Sequence, residues 1–488
     1  MATNREFKWM SGRELAAMIA AGGASASEVL EYFLERIEKH NPRLNAVVQL
    51  DRKGARARAK EADRKRARGE PLGALHGVPM TIKDGFAVQD IITTGGSPVH
   101  KNLRPKQHAV VPQRLIDAGA NIIGKTNVPL YSGDWQSYND VYGASNNPWN
   151  VKHTPGGSSG GSAAVVAAGL SPLEYGSDIG GSVRVPAAFC GVYGHKPSFD
   201  IVPLRGYIAS PHPGVSTRDL SVAGPITRSI DDLELLLSLT AGADALDAPG
   251  WKLELPPARV TDIKKLRVAV MMDVGGVAEL DQSVADAMKR AADKLARAGA
   301  KVEEKKMPID AKVGVETYMI LLNSVIGSGL TDQQRRFFQE MVDSAEADDR
   351  SWRMLQARGF VNSQAQWIQL HERRQVGRYK WNAFMRNWDV VMLPAAPIPA
   401  LAHDHEPDFH RRSIRVNGKK RPYMEQIAWQ MVATLHYLPA TVIPTGLSKS
   451  KLPVGVQLVG KYLDDYHTLA SAKLIDAVVG GYQTPPKF

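Results

Sequence analysis

Apolar positions in the first half of the chain switch between two periods. Helical spacing comes first. Residues 11–21 carry one apolar face, and the capping box Ser25-Ala26-Ser27-Glu28 opens a second helix expected to end near Asn41 and Pro42. Within residues 51–70, Ala55, Ala59 and Ala62 stand at i, i+4 and i+7, a stripe of small residues among charges. The period then becomes two. Val78, Met80 and Ile82 alternate with Pro79, Thr81 and Lys83, which predicts a short strand ending at Lys83. Residues 109–127 read as helix, turn and strand. "AAVVAAGL" reads as a helix, "PLEYGSD" as a strand, and "PAAFCG" as a helix start with Pro186 in its first turn.

The same alternation continues downstream. "LRVAVMM", a helix carrying Val284, Met288, Ala291 and Leu295 that stops at Gly299, and "AKVEE" form a β-α-β unit. Residues 311–390 are helix-rich and hold Phe337, Phe338, Trp352, Phe360, Trp367, Tyr379, Trp381, Phe384 and Trp388. These aromatics either line an apolar pocket or pack a helical core. Strands return at "WDVVMLP", "TVIPTGL" and "GVQLVG", and a helix closes the chain. Such alternation favours an α/β sheet with helices on both faces.

Composition narrows this picture. With 43% hydrophobic and 23% charged residues in 488, the chain can bury a sizeable core. No run approaches the ~20 apolar residues of a membrane helix, so no membrane is expected. The apolar patch at residues 15–21 is too short for a signal segment, and the single cysteine, Cys190, cannot form an internal disulfide; a cytoplasmic location is the expectation. The net charge of +11 raises nucleic-acid binding as a remote alternative. Much of that charge sits in residues 51–70, which contain no aromatic residue to stack on bases, so a solvated helix is the better reading and no nucleic acid is expected.

Three motifs fail on context. Gly119 to Thr126 matches a phosphate loop in letters, but its "NII" reads as the strand itself, whereas such a loop follows a strand and opens a helix. "HDHEPDFH", His403 to His410, crowds three histidines without regular ligand spacing or a second cluster, so no metal is expected. Ser448 and Lys451 fit S-x-x-K, but in a turn before Pro453 rather than at a helix start.

What remains is two Gly/Ser loops and one lysine. "PGGSSGGS" holds Ser158 just before the alanine–valine helix, and "GSDIGGSVRVP" holds Ser182 between a strand and a helix start. Together with "GVPMTIKD", "GKTNVP", "NNPWN", "AAFCGVYGHKPS", "LPATVIPTG" and "PVGVQLVG", these loops make a sequence that resembles the amidase signature family, serine hydrolases that cleave amides with a Ser-Ser-Lys triad. The resemblance covers most of residues 70–460. It implies a mixed central β-sheet covered by helices on both faces, with a helix-rich insertion. The expected organisation is an N-terminal helical segment at 1–70, a catalytic core at 71–310, a variable substrate region at 311–390, and a C-terminal part of the core at 391–488.

The resemblance makes Ser182 the nucleophile, Ser158 the bridging serine and Lys83 the base, and it implies a cis peptide bond at Gly157–Ser158. The chemistry agrees. A serine hydroxyl is a weak nucleophile until a partner takes its proton. A lysine can take it when burial keeps the amine largely neutral near pH 7. Lys83, closing an apolar strand, is placed for burial. The resemblance also assigns an oxyanion hole to the amides of Ile179, Gly180, Gly181 and Ser182, where small residues let N–H groups approach developing charge. Asp178 and Arg184 bracket the nucleophile as supports of its loop, and Ser132 matches a backbone position that lines the substrate. Cys190 follows Phe189 in a predicted buried helix and matches a structural position of the family, so it is not read as a nucleophile. His195 stands where the family more often has an apolar residue, and no role is assigned to it.

The expected activity is hydrolysis of a carboxylic amide, among them aryl, acyl or urethane-like amides, to an acid and an amine or ammonia. No cofactor is required. The expected partner is a small-molecule amide, with a homodimer left open. An alternative within the family is a glutaminase like the ammonia-supplying subunit of the glutamyl-tRNA(Gln) amidotransferase. "LYSGDWQSYNDVYGASNNPWN" argues against that alternative, since such a subunit usually carries an "EFAMGSSTE"-like stretch there.

Overall fold

Two β-sheets meet edge to edge in this computed structural model, which describes residues 6–208 and 214–488. Residues 1–5 of the predicted N-terminal segment lie outside that description. The strands in chain order are Val47–Leu50 (β1), Pro79–Lys83 (β2), Asn121–Thr126 (β3), Tyr138–Asn139 (β4), Gly143–Ala144 (β5), Leu173–Asp178 (β6), Tyr193–Lys196 (β7) and Val222–Thr227 (β8). There follow Arg267–Val270 (β9), Lys301–Glu304 (β10), Val390–Pro394 (β11), Ser413–Val416 (β12), Lys419–Pro422 (β13), Ala440–Leu447 (β14) and Pro453–Val459 (β15).

The large sheet is mixed and eight-stranded, in the order β10-β9-β11-β15-β14-β7-β8-β6. Its β10–β9 and β9–β11 pairs are parallel, as the β-α-β reading requires, and the remaining pairs are antiparallel. The sequence predicts the lysine strand but not its sheet. It lies in a separate three-stranded sheet, β1-β3-β2, whose pairing of distant segments leaves no mark on local periodicity. The two sheets adjoin where edge strand β2 faces edge strand β6. There the Thr81 amide donates to Ser171 Oγ at 3.1 Å, and Lys83 Nζ donates to Ser177 Oγ at 2.9 Å.

Helices cover both sheets, as the alternating pattern predicts. The capping box at Ser25 forms with both of its bonds, but the helix it opens, Ala26–Leu44, runs through Pro42 rather than stopping there. The extra half-turn survives because Leu44 is fully buried and Asn41 Oδ1 accepts from the amides of Ala46 and Val47 just beyond. In Arg52–Ala67, Ala55 and Ala59 are buried and most of the basic residues are exposed, the solvated helix expected, although Arg58 turns inward onto Asn121 Oδ1 and Ile122 O. The helix Gly160–Ala167 is buried at all eight positions, which explains why its sequence carries no polar face. No helix among the described residues is long and apolar enough to cross a membrane.

The aromatic region 311–390 folds into the helices Ala311–Ile326, Asp332–Asp343, Trp352–Phe360 and Gln364–Phe384. Trp381, Trp388 and Phe360 are buried among their neighbours, whereas Phe337 and Tyr379 are exposed.

Candidate active site

Ser158, Ser182 and Lys83 come from three elements that converge at the seam between the sheets. Lys83 ends β2 with no solvent exposure, and its Nζ donates to Ser158 Oγ at 2.6 Å. Ser158 lies in the loop before Gly160–Ala167, and the Gly157–Ser158 peptide bond is cis. Ser137 clamps this loop: its Oγ donates to Gly156 O at 3.1 Å and accepts from the Gly160 amide at 3.0 Å. Ser182 follows β6 in the next loop, 5% exposed, and its carbonyl accepts from the Ser159 amide at 3.1 Å, so the two Gly/Ser loops are bonded together.

Burial is the main influence on the lysine. It pulls Lys83 down to about 7, against the weaker opposing pull of the Asp178 and Glu174 carboxylates. Around the amine runs a hydroxyl chain that sequence reading missed. Ser177 Oγ, which accepts from Lys83, donates to Tyr207 Oη at 2.6 Å, and that oxygen lies 2.8 Å from Ser132 Oγ. The signal was available in β6, where Ser177 is a polar residue in a strand buried at every position.

The loop that carries Ser182 is held from several sides. Asp178 and Arg184 are a buried ion pair, both side chains at zero exposure, so a surface pair is ruled out. The Arg184 guanidinium keeps Asp178 down near 2 despite burial. Asp178 also accepts from the amides of Gly181 at 2.9 Å and Val183 at 3.1 Å. One of the four amides expected in the oxyanion hole is engaged within the loop. The Gly181 N–H is turned onto Asp178, while those of Ile179, Gly180 and Ser182 donate to no described side chain. Gly181 itself has φ +98°, and a Cβ there would sit 2.7 Å from the Gln430 side chain, so glycine is required. Two further supports come from afar: Trp135 Nε1 donates to Gly180 O and Tyr318 Oη to Ile179 O, both at 2.7 Å.

A cavity opens beside Ser182. Its apolar wall includes Trp135, Ile179, Leu322, Ile326, Phe409 and Met424, and Ser132 lies on its rim. None of Phe337, Phe338, Trp352, Phe360, Trp367, Tyr379, Trp381, Phe384 and Trp388 lines it; Trp352, Trp367, Trp381, Phe384 and Trp388 pack in the helical layer, and the aromatic wall of the cavity comes from outside residues 311–390. Asp134, also in the lining, is bound to Arg412 and to Tyr423 Oη at 2.8 Å.

The rejected motifs are structurally occupied. Lys125 is fully buried and donates to Phe86 O. His403, His405 and His410 turn to different partners, Asn146, the Tyr138 ring and Gln356 respectively. Ser448 bonds within its own turn. Cys190 is buried with its thiol pushed far up by desolvation. His195 sits in β7 between Thr441 Oγ1 at 2.9 Å and Asp465 Oδ1 at 3.2 Å, a fastening to the C-terminal helix.

The family model described as Amidase matches residues 28–469. Over 482 residues the chain is 31% identical to a glutamyl-tRNA(Gln) amidotransferase subunit of Acaryochloris marina, covering 95% of this chain and 96% of that one. Among solved structures, fatty acid amide hydrolase superposes with a TM-score of 0.79 at 26% identity, over 98% of this chain and 87% of that one. The structure of 6-aminohexanoate cyclic dimer hydrolase superposes with a TM-score of 0.80 at 25% identity, over 99% of each chain.

Proposed function

This chain belongs to the amidase signature family of enzymes acting on amide carbon–nitrogen bonds, and from that premise we propose that it hydrolyses a carboxamide through an acyl-enzyme on Ser182. The observation that carries the reading is the 2.6 Å bond between Ser158 and a lysine wholly removed from solvent. Neutral Lys83 takes the Ser158 proton as Ser158 takes that of Ser182. Ser182 Oγ bonds to the amide carbonyl carbon, and the oxyanion forms against the amides of Ile179, Gly180 and Ser182, fixed donors that need no reorganisation. The proton returns through Ser158 to the amide nitrogen, the C–N bond breaks, and the amine or ammonia leaves. Water then adds to the acyl carbon and gives its proton to the same relay. The ester bond breaks, Ser182 regains its proton, and the carboxylic acid departs. Asp178 and Arg184 keep the loop in position.

The apolar wall beside Ser182 supports an uncharged acyl or aryl amide, or a urethane-like substrate, as the molecule cleaved. The relatives named as amidotransferase subunits favour a second reading, a glutaminase working with partner chains, more strongly than the stretch from Leu130 to Asn150 argued against it. Against glutamine stands the lining of the cavity, where the one carboxylate among the described residues, Asp134, is already committed to Arg412. Ser182→Ala is expected to abolish both turnover and labelling by a fluorophosphonate; normal turnover in that variant overturns the assignment. A panel of glutamine, short aliphatic amides, anilides and carbamates separates the two readings. Ammonia release from glutamine, with co-purifying partners, selects the second.

A further inference from the structure

A second cavity, of about 220 Å³, lies between the helix Gln364–Phe384 and the turns that follow the helix Ala428–Leu435 and strand β15. It shares no lining residue with the cavity beside Ser182. An apolar protein cavity of about 150 Å³ accommodates benzene, so this one has room for a monocyclic organic molecule. Trp381, Met385 and Leu438 give it an apolar surface.

The charge around it has one sign. Arg378 and Lys461 line the cavity, and among the described residues no aspartate or glutamate does. Neither cation enters an ion pair with a described residue. The Arg378 guanidinium is already ordered: it lies over the rings of Tyr437 and Tyr462, at 4.9 and 4.5 Å, and donates to Gln375 Oε1 at 3.0 Å. A guanidinium fixed on aromatic faces without a carboxylate in reach is arranged to receive one from a ligand. His436 adds no charge, because burial brings it down to about 4 against the opposing hydrogen bond to Val432 O.

We propose that this cavity binds a small organic carboxylate, with its charge on Arg378 and Lys461 and its apolar body on Trp381, Met385 and Leu438. The proposal stands independently of the hydrolytic reading. The test is isothermal titration calorimetry of the full chain with benzoate, with inorganic phosphate as the comparison anion, on wild type, Arg378→Gln and Lys461→Gln. Expected is saturable benzoate binding that weakens at least tenfold in both variants, with phosphate binding weaker than benzoate and amide turnover unchanged. Lys461 is half-buried in a turn, so its variant decides the matter if Arg378→Gln fails to fold. Absence of saturable binding, equal benzoate affinity in all the folded proteins, or tighter binding of phosphate overturns the proposal.

Discussion

Arg184 meets Asp178 as a fork: Nη2 lies 2.9 Å from Oδ1 and Nε 3.0 Å from Oδ2, with neither side chain in contact with solvent. The same guanidinium reaches Gln457 Oε1 at 2.9 Å and Thr434 Oγ1 at 2.7 Å, so the Ser182 loop is tied to β15 and to the helix Ala428–Leu435. Removing one partner of a buried pair strands the other charge, at a cost of about 3–5 kcal/mol. Asp178→Asn is expected to lower stability by that amount, read from the midpoint and slope of urea unfolding. Turnover falls with it, because Gly181 and Val183 lose their carboxylate acceptor. A change below about 1 kcal/mol, the size of an ordinary hydrogen bond, contradicts this account of the loop.

Lys83 gives the enzyme two dependences on pH. With the lysine lowered to about 7, kcat/KM is expected to rise with pH through that value and then level, as the base loses its proton. Stability follows the same sign. The folded value lies below the ordinary value of 10.5, so between about 7 and 10.5 the unfolded chain binds more protons and stability rises with pH. Lys83→Met removes this residue's share of that rise and eliminates the activity. Unfolding curves of both proteins across the window measure the difference, and identical slopes refute the assignment of a neutral lysine.

Gly181→Ala tests the loop backbone. An alanine at φ +98° incurs roughly 1–2 kcal/mol from its Cβ alone, and the contact with Gln430 adds to it. The expected result is a lower melting temperature together with a fall in kcat of at least tenfold. Pairing it with Gln430→Ala, which clears the contact, recovers part of the stability but not the activity.

Trp135→Phe keeps an aromatic wall for the cavity and deletes the donor that holds Gly180 O. A net hydrogen bond contributes about 1 kcal/mol to stability, so unfolding is expected to ease by about that amount, with a drop in kcat of roughly fivefold if the loop loses its orientation. An unaltered kcat shows that the Tyr318 bond alone orients the loop.

The candidate triad was legible because each residue lies in a contiguous, compositionally unusual segment: Lys83 at the end of an alternating strand, Ser158 and Ser182 in glycine-rich loops beside apolar runs. Their supports were not, since Trp135, Tyr318 and Tyr207 reach the site across long separations in sequence and nothing local marks them. Gln430 and Gln457 carried a weaker signal, each a lone amide inside the apolar stretches "AWQMVATL" and "PVGVQLV", where a buried polar group implies a partner. The division into two sheets escaped for the same reason, as strand pairing is settled by distant residues. Periodicity did predict the helices, and it failed at Pro42, where bonds from the Asn41 side chain beyond the helix end outweighed the local stop signal.

Because Lys83 rides on the smaller sheet while Ser182 hangs from the edge of the larger, the proposed proton relay depends on how the two halves are docked and not only on whether each is intact. A slip of about one ångström along β2 and β6 is enough to misplace the reacting groups, and it leaves every strand ladder in place. Inactivation on warming is therefore expected to precede melting, with turnover lost while the far-ultraviolet dichroism is still native.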